Sequence, residues 1–215
     1  MIGLLYNGQW ALFFLILIAL IVSLSFHEYG HAFAAKRFGD DTAERMGRLT
    51  LNPIAHIDPM GLMMVIFAGF GWAKPVPTDP RKFNSRWAEL VVSAAGPGMN
   101  LLVAFVAINF FGLAVGLGWE FMQGEGARFF FIFLAQINLL LMVFNLIPLG
   151  ALDGHYMLPY VLSRKWGYYY RLYNAQYGMW VLLGLVFLSY LGNVPIFRFV
   201  WSIGSALLPL ITIPL

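Results

Sequence analysis

Residues 10–35, WALFFLILIALIVSLSFHEYGHAFAA, decide the class of fold to which this chain belongs. The uncharged run 10–26 has about the 17–20 residues that a helix needs to cross the hydrocarbon core of a membrane. A cleaved signal peptide is the alternative, because AFA at 32–34 resembles a cleavage site. Residues 1–9 carry no Lys or Arg, however, and the apolar run is longer than usual for a signal peptide. We therefore predict a retained transmembrane helix.

Four further apolar runs follow, and the composition agrees with a membrane protein. The runs cover residues 87–117, 128–148, 176–192 and 196–214. Hydrophobic residues make up 60% of the 215 residues and charged residues only 11%, whereas soluble domains carry about 25% charged residues. This composition excludes a soluble globular protein, a disordered chain and a nucleic-acid-binding protein. We predict an all-α polytopic membrane protein with about five transmembrane helices in one domain, residues 1–215.

The longest polar segment, residues 36–86, follows the first predicted helix. It contains eight of the 13 basic and five of the 10 acidic residues. Its apolar run 60–72 is short for a span and contains three glycines, so we predict a re-entrant, interfacial or sheet-like piece packed against protein. The runs RLTL at 48–51 and KPVP at 74–77 predict extended strands, because prolines break any long helix here. We thus expect a small membrane-associated β or re-entrant segment after the first helix.

The distribution of positive charge predicts the topology. Segment 36–86 carries eight Lys and Arg residues and segment 149–175 carries three, whereas the turn 118–127 carries none. Because Lys and Arg concentrate in cytoplasmic loops, five spans place both basic segments and the C-terminus inside and the N-terminus outside. A sixth span at 60–72 would separate the two basic segments, which argues against it. The last two runs would form a C-terminal helical hairpin, 176–214, that turns at 192–195.

The sharpest chemical signal is HEYGH at 27–31, at the inner end of the first span. Residues four apart share one face of a helix, so His27 and His31 can bind one metal ion. Glu28 lies beside them and can polarise a water molecule. A chance or structural cluster is the alternative, but ionisable residues inside a membrane span are costly and therefore indicate function.

A catalytic zinc site needs three protein ligands and leaves one position for water. Asp153, in NLIPLGALDGH at 145–155, is the best candidate for the third ligand, because the topology puts it on the same membrane face as the two histidines. An Asp-Gly turn at a helix exit is the alternative interpretation, and His155 and His56 are competing ligands. The chain contains no cysteine, which excludes thiolate ligands and disulfides.

These motifs resemble those of the site-2 protease family of intramembrane zinc metalloproteases. The resemblance rests on HEYGH at 27–31, on NLIPLGALDG at 145–154 and on GPGMN at 96–100 between them. The segments GRLTLNP at 47–53 and HIDP at 56–59 are similar to the short bacterial and archaeal branch, which lacks appended PDZ and CBS domains. The resemblance covers roughly residues 10–160, which would form the catalytic core.

The resemblance implies roles for individual residues. His27, His31 and Asp153 would bind one zinc ion per chain, and Glu28 would act as the general base. Asn145 would position the substrate or stabilise the oxyanion, and Asn100 would play a similar, supporting part. The family implies peptide-bond hydrolysis within or near transmembrane segments of single-span membrane proteins or remnant signal peptides. It also implies a location in the lipid bilayer of a prokaryotic plasma membrane, with the active site toward the cytoplasm.

Two other functions fit part of the pattern. A metal-binding membrane transporter would also place His, Glu and Asp inside the membrane. The chain shows no inverted repeat, however, and its polar groups cluster at one face. A catalytically inactive membrane scaffold of the same fold is the other alternative, although every residue that the chemistry needs is present.

Overall fold

The computed structural model describes residues 1–69, 71–192 and 195–214, which form ten α-helices. In chain order these are α1 Ile2–Tyr6, α2 Trp10–Arg37, α3 Thr42–Arg45, α4 Pro59–Ala68, α5 Ala88–Gly116, α6 Glu125–Asn145, α7 Asp153–Met157, α8 Arg164–Tyr173, α9 Met179–Tyr190 and α10 Ile196–Ile211. A π-helical segment, Asn174–Gly178, joins α8 to α9. Short 3₁₀ turns cover Pro53–Ala55, Pro80–Lys82, Glu120–Gln123 and Leu158–Tyr160.

Four of these helices are long and apolar enough to cross a membrane, by length and composition. They are α2, α5, α6 and the continuous 27-residue helix Arg164–Tyr190 that α8 and α9 form together. The prediction of an all-α polytopic membrane protein is thus confirmed. The fifth span stays a prediction, since α10 has 16 residues.

The fourth long helix begins well before the predicted start at residue 176. Its first 10 residues, RKWGYYYRLY in α8, are polar and aromatic, so a search for apolar runs does not detect them. The predicted hairpin between α9 and α10 includes a turn at 192–195, of which residues 193 and 194 lie outside the described part of the chain.

The prediction of strands in segment 36–86 is wrong for the residues that the structure describes. These residues form one isolated antiparallel bridge, between Ile57 and Ala73, instead of strands. The guanidinium of Arg48 donates to the carbonyls of Lys74 and Pro75 and so takes acceptors that a neighbouring strand would use. The prolines in KPVP also lack the N–H groups that a strand ladder needs.

The apolar run 60–72 begins as a helix, not as a sheet-like piece. The Asp58 carboxylate caps α4 by accepting the N–H of Gly61 at 2.8 Å, and the helix ends at Gly69, whose φ of 81° favours glycine. Ten residues of helix are about 15 Å long, roughly half of the hydrocarbon core. Whether this helix re-enters the membrane stays a prediction.

Helices α2, α5 and α6 pack around a core of small side chains. Ala19, Ala104 and Ala135, one from each helix, are completely buried and belong to one apolar cluster with Leu139. Where α2 crosses α5, a Cβ on Gly30 would lie 2.6 Å from the carbonyl oxygen of Ala95. Small residues at these crossing points let the backbones approach closely, which is how helices associate in membranes.

The two basic segments meet at one end of this bundle. Arg171 pairs with Glu89, in the first turn of α5, at 2.8 Å, and the hydroxyl of Tyr160 donates to the carbonyl of Arg86 at 3.0 Å. Segments 36–86 and 149–175 therefore lie at the same end of the molecule, as the charge distribution predicts. The side of the membrane on which this end lies stays a prediction.

Candidate metal centre

His27 and His31 lie one turn apart near the C-terminal end of α2, and their rings face the start of α7. The two Nε2 atoms are 3.1 Å apart. Asp153, the first residue of α7, places Oδ2 3.3 Å from Nε2 of His27 and Oδ1 3.3 Å from Nε2 of His31. Among the described residues, these three form the one group of His, Asp and Glu side chains arranged to hold a metal ion.

The partners of the two Nδ1 atoms determine which nitrogen faces the centre as a lone pair. Nδ1 of His27 lies 2.7 Å from Oδ1 of Asn100, and Nδ1 of His31 lies 2.8 Å from the carbonyl oxygen of Val92. A carbonyl oxygen only accepts, so each Nδ1 carries the proton and donates it. Both Nε2 atoms therefore present lone pairs to the centre, which is the form that binds a metal.

This arrangement fits a zinc ion. Three electron-pair donors converge, and the buried Oδ2 of Asp153 has no hydrogen-bond partner among the described residues. With Zn–ligand bonds of about 2.0–2.1 Å, tetrahedral geometry places ligand atoms about 3.3 Å apart, close to the distances seen here. Two nitrogens and one carboxylate oxygen also form a usual ligand set for catalytic zinc.

Gly96 of α5 makes room for the two imidazoles. A Cβ on Gly96 would lie 2.3 Å from Nε2 of His31 and 2.7 Å from Cε1 of His27. Such distances are shorter than any van der Waals contact. Only glycine at this position allows α5 to pass so close to both rings.

Glu28 is buried beside the centre and has a backbone partner. Its Oε2 accepts the N–H of Val76 at 2.9 Å. The preceding residues, Lys74 and Pro75, are held through their carbonyls by the buried guanidinium of Arg48. Arg48 thus fixes the loop of residues 74–76, and this loop restrains the orientation of the Glu28 carboxylate through the Val76 N–H.

A loop over residues 146–152 carries Asp153 from the end of α6 to the centre. The side chain of Asn174, in the π-helical segment, donates to the carbonyl of Gly150 and accepts its N–H, both at 2.9 Å. At the other end of the loop, a Cβ on Gly154 would lie 2.2 Å from the carbonyl oxygen of Leu146. The loop is thus tied to the long helix Arg164–Tyr190 and packed tightly beneath α7.

The competing ligands are engaged elsewhere. Nε2 of His56 bonds to the carbonyl oxygen of Thr50 at 2.7 Å, and Nδ1 of His155 lies 3.1 Å from the hydroxyl of Tyr170. Burial, and then the charge of Arg171, lower the pKa of His155 below its ordinary value. Neither histidine joins the described cluster.

The two predicted asparagines are placed differently. Asn100 is completely buried and touches His27, so its position suits support of a ligand. Asn145 is the last residue of α6, and its amide donates to the carbonyl of Leu141 at 3.0 Å within that helix. One further N–H of the Asn145 amide remains for another acceptor.

Sequence reasoning missed four contributions to this centre: the contacts of Arg48, of the Val76 N–H, of Gly96 and of Asn174. Backbone N–H groups carry no signal in a sequence, and a glycine or asparagine has many common roles. The motif GPGMN at 96–100 did identify the part of α5 that contacts the histidines, although the motif alone did not show what Gly96 contacts.

Comparison with known proteins decides the family. Residues 15–120 and 120–189 match the family described as Peptidase family M50, which is most of the chain. The chain belongs to this family. The resemblance to site-2 proteases is thereby confirmed. No solved structure matches this M50 chain.

The relatives that this M50 chain matches have names that describe zinc metalloproteases. It is 47% identical over 143 residues to "Putative zinc metalloprotease YwhC" of Bacillus subtilis, a match that covers 65% of each chain. It is 36% identical over 154 residues to "Putative zinc metalloprotease Rip2" of Mycolicibacterium smegmatis, covering 66% of this chain and 55% of the relative. A 27% identical match to "Zinc metalloprotease MJ0392" of Methanocaldococcus jannaschii covers 74% of this chain and 37% of the relative. The matches thus span between about a third and two thirds of the relatives' length.

Proposed function

We propose that this protein is an intramembrane zinc metalloprotease that hydrolyses peptide bonds within or near the transmembrane segments of other membrane proteins. One observation carries the proposal: His27, His31 and Asp153 converge at 3.1–3.3 Å with their lone pairs facing one another. Glu28, on the same helix, supplies a buried carboxylate beside them. Membership of family M50 supports the same chemistry.

The three ligands would hold one zinc ion per chain, and zinc in such a site polarises a carbonyl and lowers the pKa of water to about 7. The Glu28 carboxylate accepts a proton from the attacking water and delivers it to the nitrogen of the leaving amine. The Val76 N–H holds the other side of that carboxylate in place. The remaining N–H of Asn145 would donate to the oxygen of the tetrahedral intermediate, a contribution of about 3–4 kcal/mol in comparable sites.

The substrates that suit this site are single-span membrane proteins and remnant signal peptides. A helical substrate engages its peptide bonds in hydrogen bonds between residues i and i−4, so it must unwind locally before hydrolysis. The centre lies at the end of the bundle where the polar segments meet, which gives water a route to it. We place this end at the cytoplasmic face of a prokaryotic plasma membrane, because both basic segments lie there.

The direct test measures zinc and hydrolysis together on detergent-purified protein. Wild type should contain about one zinc per chain, Asp153→Ala should lose most of it, and Glu28→Gln should keep it. Cleavage of a single-span substrate in proteoliposomes should fall by about 10²–10⁴-fold in Glu28→Gln, as expected for loss of a general base.

Each alternative predicts a different result in the same test. An inactive scaffold would bind zinc without hydrolysis in the wild type, and a transporter would accumulate metal inside vesicles. Zinc retained in Asp153→Ala would show that the third ligand is a different residue and would overturn the site assignment.

A further inference from the structure

A fully buried network of polar side chains extends from the candidate zinc ligand His27 across three helices. Asn100 of α5 contacts Nδ1 of His27 at 2.7 Å through its Oδ1. Its Nδ2 donates to Oδ1 of Asn138, on α6, at 2.7 Å and to the carbonyl of Ser23, on α2, at 3.3 Å. Asn138 and Asn100 are both completely shielded from solvent, and the hydrogen-bond partners of their amides are protein groups.

The orientation of the Asn138 amide follows from two backbone carbonyls. Nδ2 of Asn138 lies 2.8 Å from the carbonyl oxygen of Leu134 and 2.8 Å from Oγ of Ser23. The Ser23 hydroxyl uses its single proton on the carbonyl of Ala19 at 2.6 Å, so its oxygen must accept from Asn138. The amide nitrogen of Asn138 therefore faces Ser23 and Leu134, and its oxygen faces Asn100.

The same logic extends to His27. Because Oδ1 of Asn138 can only accept, the amide nitrogen of Asn100 must face it, and Oδ1 of Asn100 must face His27. Nδ1 of His27 then carries the proton, and Nε2 is left as the lone pair. With the Asn100 amide turned over, its N–H would meet Nδ1, and the proton of a neutral ring would move to Nε2.

We propose that Asn138 is a positioning residue for the zinc site, acting through Asn100 to hold His27 in the tautomer that binds metal. Asn138 is separated from His27 by one complete side chain and touches no metal ligand. This inference depends on the zinc site of the proposed function, but it does not depend on proteolysis. A purely structural role, in which the amide only joins three helices, is the competing explanation.

The test uses full-length protein in detergent and two readouts other than activity. The first is zinc affinity, measured by competition with a chromophoric chelator. Asn138→Leu, similar in size without polar atoms, should bind zinc about 10–100-fold more weakly, the usual effect of removing an outer partner of a metal ligand. Asn109→Leu is the matched control, because Asn109 also joins helices by donating to Phe105 and Ile211 carbonyls yet lies outside the network.

The second readout is the tautomer of His27 in zinc-free protein, from its ring ¹⁵N chemical shifts. The chain has four histidines, and His27→Gln assigns the resonances of interest by their loss. Wild type and Asn109→Leu should show a proton on Nδ1, whereas Asn138→Leu should show a substantial population with the proton on Nε2.

A rescue separates positioning from structure. Asn100→Asp presents an acceptor to His27 whichever way the carboxylate is turned, so the double variant Asn100→Asp/Asn138→Leu should regain zinc affinity to within about threefold of Asn100→Asp alone. Failure of this rescue would overturn the proposal in favour of a structural role. Should Asn138→Leu fail to fold, Asn138→Ala takes its place in the same comparisons.

The outcomes also separate this proposal from the proposed function. Wild type that binds no zinc would contradict the proposed function, while the tautomer measurement would still test Asn138. Wild type that binds zinc, together with an Asn138→Leu variant that matches the control in both readouts, would overturn the role of Asn138 alone.

Discussion

Gly96 shows how a single residue determines whether the candidate centre can form. Its α-carbon faces both imidazoles. A methyl group there would place its carbon 2.3 Å from Nε2 of His31, so the two would clash. Gly98, two residues later on the same helix, has open space where its Cβ would lie. The centre therefore requires glycine at position 96 but not at position 98, although both glycines belong to the same short motif.

We predict that Gly96→Ala abolishes zinc binding because the new methyl group displaces both imidazole rings. Zinc content of the purified variant, measured by elemental analysis, should fall below about a tenth of the wild-type value, since misplaced ligands rarely hold metal. Gly98→Ala is the matched control and should keep its zinc, because alanine even favours the helix by about 1 kcal/mol. A Gly96→Ala protein with full zinc would contradict the described approach of α5 to the site.

At the scale of elements, two loops contact the candidate centre on the helix that carries the histidines. The loop 146–152 delivers Asp153 and is tied to the π-helical segment through Asn174. The loop around residues 74–76 reaches Glu28 through a backbone N–H and is held by Arg48. A π-helical turn inside a long helix often marks a functional position, and here it presents a side chain to the loop that carries a ligand.

Asn174→Ala should weaken zinc binding by up to about 30-fold, because it removes two hydrogen bonds of about 1 kcal/mol each from the loop that holds Asp153. Chelator competition measures this change. Gln176→Ala, at an exposed position of the same π-helical turn, should leave the affinity unchanged. Equal affinities for Asn174→Ala and wild type would show that the loop holds its shape without this contact.

Arg48→Met should lower the rate of substrate cleavage about 10–100-fold while zinc stays bound, because a small displacement of a catalytic group is enough to slow the chemistry. The physical reason is the release of the loop whose Val76 N–H holds Glu28. Arg45→Met offers a control, since the Arg45 side chain is 74% exposed and pairs only at the surface with Asp41. Loss of zinc from Arg48→Met would instead indicate that Arg48 supports the fold as a whole.

At the scale of the whole molecule, polar and basic segments gather at one end of an apolar bundle. The ion pair between Arg171 and Glu89 joins segment 149–175 to the start of α5. The opposite end carries the turn 118–127, which has no Lys or Arg. The metal centre belongs to the basic end, because α2 delivers His31 six residues before it ends at Arg37.

This separation of charge predicts which positions react with a membrane-impermeant maleimide in intact cells. The chain contains no cysteine, so single substitutions report one position each. Arg81→Cys and Arg164→Cys should react only after permeabilisation, whereas Gln123→Cys should react in intact cells, because basic loops stay inside. Labelling of Arg81→Cys and Gln123→Cys from the same side would contradict the predicted topology.

The amino-acid sequence by itself determined the class of fold and the residues that could bind a metal. Apolar runs long enough to span a membrane are a property of composition, and the i, i+4 spacing of His27 and His31 needs only a helix. Charge counts in the loops placed Asp153 on the same membrane face as the two histidines but left His155 and His56 as competing ligands, and the resemblance to the family then implied Asp153. The strand predicted for residues 74–77 was wrong because Arg48, 26 residues before Lys74 in the chain, takes the carbonyls of Lys74 and Pro75 that a neighbouring strand would use.

Only the tertiary structure decided how these residues are held. The approach of α5 to the imidazoles at Gly96, the tie between Asn174 and Gly150, and the network from Ser23 to His27 join residues that lie 24 to 115 positions apart. A sequence lists the donors and acceptors but not which of them meet. Most buried polar groups find hydrogen-bond partners, so the folded arrangement of carbonyls and amides determined the orientation of both histidines, and with it the lone pairs that face the candidate centre.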